Sequence, residues 1–125
     1  MTTLVVKTYT RAALNADGQP DCAGTWVLAP NSRDLKKQLS KASGIEFLAH
    51  YHDGIFVGVY RVAGFHSERR DLVERVTGME KPCAISIGIR FHLRATGEGS
   101  SNMIERLIAD NVKVSDIRDC RVVSL

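Results

Sequence analysis

The sequence predicts an α+β fold, a bent and mainly antiparallel sheet of five or six strands or a small open barrel, with two or three helices. Three observations predict it. Two apolar, aromatic-rich strand patterns on either side of Asp53-Gly54 read as a hairpin. Residues 83–93 alternate strictly, with Cys83, Ile85, Ile87, Ile89, Phe91 and Leu93 between Ala84, Ser86, Gly88, Arg90 and His92, as in a strand with one buried face. Between the strand patterns lie stretches whose apolar residues recur at helical spacing, and helices in such an order pack on the faces and ends of one sheet.

The elements follow in order. Residues 4–10 are β-favouring (Val5, Val6, Thr8, Tyr9, Thr10) and predict a first strand. Residues 15–24 are rich in turn formers and predict an exposed, flexible loop, so residues 1–24 form an N-terminal strand and loop and residues 25–125 one domain. Thr25-Trp-Val-Leu-Ala29 is a second strand, stopped by Pro30. Asn31 or Ser32 caps a helix with Leu35, Leu39 and Ala42 on its apolar stripe and Arg33, Lys36, Lys37 and Lys41 on its basic face, ending before Gly44. In the hairpin, Phe47, Ala49 and Tyr51 share one face and Leu48, His50 and His52 the other. On the return strand Phe56, Gly58 and Tyr60 share a face, where the glycine leaves a gap. Leu72, Val73 and Val76 at helical spacing predict a short helix or structured loop over 67–77, and the alternating strand follows. A loop at 97–101, a capped helix over 102–110 burying Met103, Ile104, Leu107 and Ile108, a turn or short strand at 112–118 and a last strand at 121–125 complete the chain.

Composition narrows the function classes. A chain of 125 residues with 44% hydrophobic and 25% charged residues is an ordinary globular domain. No apolar run approaches the roughly 20 residues of a membrane span, and the Met-Thr-Thr start lacks the pattern of a secretory leader, so a cytoplasmic protein with no membrane partner is expected. Cys22, Cys83 and Cys120 are widely spaced, which suggests reduced thiols rather than a disulfide framework or cysteine-zinc site, with Cys83 in the core. The net charge of +3 is only mildly basic. Its distribution matters more: Arg61, Arg69, Arg70, Arg75, Arg90, Arg94, Arg118 and Arg121 form a phosphate-holding groove if they converge, and a solvated surface if they do not.

Trp26-Val-Leu, the basic-faced helix, Phe47-Leu-Ala-His-Tyr-His and Phe56-Val-Gly-Val-Tyr-Arg-Val62 together resemble the EVE domain of the PUA-like superfamily, which is similar to the YTH domains. The likeness spans residues 25–125. The chain departs from the family in its shortness, in Asp53 where a small hydroxyl residue is usual, and in Arg61 where an acidic residue is common. The resemblance implies a non-catalytic module that binds DNA or RNA through one flipped, often modified, base. Trp26, Tyr51 and Tyr60 would be the ring partners, His52 and Asp53 the edge readers, and Gly58 the gap between them. Arg61, Arg69, Arg70, Arg90 and Arg94 would hold the phosphates. Physics supports the kind of site: an unstacked base is held between aromatic faces while cations neutralise its neighbouring phosphates. Core packing is the competing account of the aromatics.

Two further classes compete. His50, His52 and Asp53 are spaced to serve a small metal-dependent nuclease or hydrolase, with His66 or His92 as a third ligand brought by folding. No Gly-x-Ser-x-Gly elbow, P-loop or His-Glu-x-x-His is present, and Cys22 has no activating neighbour in sequence, so neither a metal nor a cofactor is expected. A protein-interaction module, such as a phage-borne inhibitor of a host enzyme, is compatible with the same pattern. Oligomeric state is not encoded in any motif.

Overall fold

A computed structural model describes residues 1–9, 32–76 and 79–125, with backbone only for residues 32–36, 38 and 68–88. The elements are β1 (Thr2–Thr8), α1 (Ser32–Ser43), β2 (Phe47–His52), β3 (Ile55–Val76), β4 (Met79–Ala95), α2 (Glu98–Asn111), a 3-10 turn (Val114–Asp116) and β5 (Cys120–Ser124). The expected strand at 25–29, and with it Trp26 and Cys22, lies outside the described residues.

The five strands form an open sheet in the order β4-β3-β2-β1-β5, not a barrel. Three of its four pairings are antiparallel, but β1 and β2 run parallel, from Thr3 opposite Phe47 to Thr8 opposite His52. The reason is connectivity. A two-residue turn can join only antiparallel neighbours, whereas the chain between β1 and β2 includes a helix, which is the connection parallel strands require.

The pleat of β1 divides the core in two. Leu4 and Val6 pack with Leu48, Ala42 and Ile45 of the α1 layer, and with Ile89 and Phe91. Val5 packs on the opposite face with Ala49, Tyr51, Val59 and Ile117, and with Ile104 and Ile108 of α2. β1 is therefore covered on both sides, which explains its unbroken Leu4-Val5-Val6 run. Full burial of each of these aliphatic side chains is worth about 1.5–3 kcal/mol.

The β2–β3 turn forms as the sequence predicts. Asp53 (φ 52°) and Gly54 (φ 78°) both adopt positive φ, as a two-residue turn matched to strand twist demands. One residue further on the expectation fails. The register shifts between His50 and Tyr51, so that Tyr51 pairs with Phe56 and His50 with Gly58. This bulge puts Phe56 with Tyr51 in the α2 cluster, ring centroids 5.3 Å apart, and away from the face of Tyr60, which packs against the α1 cluster.

Three further expectations are corrected. Residues 67–76 are strand, not helix or loop: β3 runs on to Val76 and pairs with β4 throughout, Glu74 opposite Lys81 and Arg75 opposite Glu80. Only residues 55–61 of β3 reach β2, so beyond Val62 the two strands leave the sheet as a two-stranded ribbon. There cross-strand pairing outweighs the local helical spacing of Leu72, Val73 and Val76. β4 correspondingly begins at Met79 rather than at residue 83. α2 starts at Glu98, so most of the expected loop is its first turn. Gly97 stands at its N-cap in extended conformation, its carbonyl accepting from the Ser101 amide at 3.0 Å. Within α2, Ile104 and Ile108 are buried, but Met103 is half exposed.

Candidate functional site

Two groups of polar side chains stand out, one on each face of the sheet. The first lies where β1 and β2 end side by side. His50 and His52 alternate onto the α1 face, as does Thr8 at the end of β1. The Thr8 Oγ1 is 2.8 Å from His50 Nε2 and 2.7 Å from His52 Nδ1. A hydroxyl carries one hydrogen, so it donates to one ring and accepts from the other, which couples the tautomers of the two histidines. His50 is fully buried and its Nδ1 has no hydrogen-bond partner among the described residues. Burial, with His52 adding to it, pulls its pKa from the usual 6.5 down to about 4. Gly58 is His50's neighbour on β3, and a Cβ built there meets nothing within 4 Å, so the expected gap exists.

The second group lies on the α2 face, where β3 and β4 enter the ribbon. Arg61 stands opposite Arg94, Gly64 opposite His92, and His66 opposite Arg90. Cross-strand neighbours share a face. This face thus gathers three arginines and two histidines over three successive rungs. Arg61, Arg94, His66 and His92 are exposed and Arg90 is half exposed. Arg61 lies over the Phe47 ring, 5.2 Å from its centroid, which fixes the root of the patch to the core. His66 Nδ1 and His92 Nε2 are 2.8 Å apart.

The expected site residues are therefore distributed over both faces. Tyr51 is buried in the α2 cluster, where burial and then Glu105 raise its hydroxyl's pKa. Tyr60 packs in the α1 cluster, so the sheet separates the two rings and they do not line one pocket. His52 shares the Tyr60 face, and Asp53 is exposed at the turn. Arg61, Arg90 and Arg94 converge. Arg69 and Arg70 continue along the ribbon, in backbone register with Ile87 and Ser86, and Trp26 lies outside the described residues. His66 and His92 meet each other rather than joining His50 and His52. No group of three or more metal-ligating side chains gathers among the described residues.

Thr8 was not legible as part of any site, because its partners are 42 and 44 residues away. The His66–His92 contact was not legible either, because it depends on the β3–β4 pairing where the sequence predicts a helix or loop. Comparison with protein-family models, with curated proteins and with solved structures finds no match to this chain.

Proposed function

We propose that the protein is a nucleic-acid-binding module that meets the phosphate backbone with the face of the β3–β4 ribbon bearing Arg61, Arg90 and Arg94. The observation that carries this is the direct cross-strand pairing of Arg61 with Arg94, both exposed. Like charges directly opposite on a sheet are destabilising, and a phosphate bridging two guanidinium groups converts that repulsion into a pair of charge-assisted hydrogen bonds. The charge distribution agrees. Residues 61–94 hold seven basic and four acidic side chains, an excess of +3 that equals the net charge of the whole chain. A two-stranded ribbon also has the dimensions to enter a major groove.

The likeness to the EVE domain suggests a narrower form of the reading, with a single extruded base. Its candidate ring partner, Tyr60 beside the Gly58 gap and His52, lies on the α1 face, across the sheet from Arg61, Arg90 and Arg94, so base and phosphate contacts do not share one surface and this narrower form has less support. The metal-dependent hydrolase reading has less support, since His50 and His52 both turn to Thr8 and His50 is sealed from solvent.

The test is a titration of labelled single- and double-stranded oligonucleotides at several salt concentrations. Affinity should fall linearly on a log–log plot, with about 0.7–0.9 of slope for each phosphate contacted. The double variant Arg61→Gln, Arg94→Gln should lose roughly two contacts' worth of slope. Binding insensitive to salt, or an unchanged slope in the double variant, refutes the assignment of this face.

A further inference from the structure

We propose that His66 and His92 form an open two-nitrogen site for a divalent transition cation of tetragonal preference, Cu(II) or Ni(II) ahead of Zn(II). The two residues sit on neighbouring antiparallel strands, one rung apart, with ring centroids 4.8 Å apart and planes inclined by 35°. Their facing nitrogens, His66 Nδ1 and His92 Nε2, already converge to 2.8 Å. Bonds of about 2.0 Å meeting at a right angle place two cis nitrogens about 2.8 Å apart, whereas a tetrahedral centre requires about 3.3 Å. The observed separation is that of the hydrogen bond the rings now share, and it suits the square-planar case once both rings turn their lone pairs onto a common ion.

Access and room are present. Both histidines are exposed, and Gly64 stands opposite His92 with no atom of the described residues within 4 Å of the place where its Cβ would be. The ion would keep water or an anion in its other positions, since the site supplies two protein ligands. Arg90 and Arg94, each two residues from His92, oppose a dication. That repulsion weakens every dication alike, so the order among them follows their affinity for imidazole, with Cu(II) at the head.

The proton balance is simple. The present contact holds one hydrogen between the two nitrogens, on one ring or the other. For both nitrogens to bind metal, that ring moves its hydrogen to its distal nitrogen, so a neutral pair takes up the ion without net proton release.

The test uses the whole chain and Ni(II) alone, followed by titration calorimetry at neutral pH. One ion per chain is expected, lost in His66→Ala and also in His92→Ala, retained in His52→Gln, and accompanied by a rise in melting temperature with Ni(II) concentration. The exposed positions of the two histidines leave the fold intact, which circular dichroism of the variants checks. Absence of binding, survival of binding in both single variants, or its loss in His52→Gln each overturns the proposal.

Discussion

At His50 the fold holds a titratable ring in a place where only its neutral form is comfortable. The side chain is fully buried, its Nε2 is hydrogen-bonded to Thr8, and its pKa is lowered to about 4. Above pH 6.5 the folded and unfolded chains both carry a neutral ring. Between pH 6.5 and about 4 the unfolded chain takes up a proton that the folded chain refuses. Stability therefore falls as pH falls through this window, and the loss contributed by His50 approaches about 3 kcal/mol at its lower end. Urea unfolding at pH 7 and pH 4.5 should show this loss in the native protein and a smaller one in His50→Gln. Equal pH dependence in the two would assign the acid sensitivity to other groups. Thr8→Val removes the hydroxyl that both histidines share and leaves a second buried nitrogen of His50 without a partner. The expected destabilisation at pH 7 is about 1–3 kcal/mol, read as a lower urea midpoint with an unchanged slope.

The elements explain which glycines matter. Gly54 holds φ at 78° in the β2–β3 turn, where a Cβ is strained whatever space surrounds it, and Gly54→Ala should lower stability by about 1 kcal/mol. Gly58 has no positive φ, and its Cβ position is open, so Gly58→Ala should be neutral or raise stability by up to about 1 kcal/mol. Thermal melts of the two variants shifting in the same direction would contradict this account. The turn was legible because Asp-Gly demands a backbone conformation that few other residues allow, and the inward faces of β2 and of β4 at Ile89 and Phe91 were legible because burial imposes a period of two. Other features were not local. The bulge that moves Phe56 to the face of Tyr51 depends on pairing between strands, and no residue type marks it. The outer part of β3 has no single buried face in sequence, only charges among Leu72, Val73 and Val76, so its pairing with β4 has no counterpart in periodicity. The parallel β1–β2 pair was implicit in the strand–helix–strand order and absent from the strands' own composition.

At the scale of the whole molecule the sequence located the arginines but not the surface they share. Arg61 and Arg94 are 33 positions apart, and only the hairpin register makes them neighbours, while the same sheet puts Tyr51 and Tyr60 on opposite sides. The molecule divides accordingly into a two-faced core and an arm. Both hydrophobic clusters are assembled, among the described residues, from segments 4–65 and 89–125, with Phe65 and Phe91, 6.2 Å apart between ring centroids, as the outermost ring pair. A variant in which residues 68–88 are replaced by a two-residue Asn-Gly turn keeps the rungs from Arg61–Arg94 to Ser67–Ile89 and every member of both clusters. It should therefore fold, with melting temperature close to that of the intact chain. Because Arg61, Arg90 and Arg94 remain while Arg69, Arg70, Arg75 and Lys81 are removed, oligonucleotide binding should weaken and its salt slope should fall, without being abolished. The two readouts separate the parts. An unfolded product would mean that the ribbon belongs to the core, and a folded product with an unchanged slope would confine phosphate contact to the root of the arm.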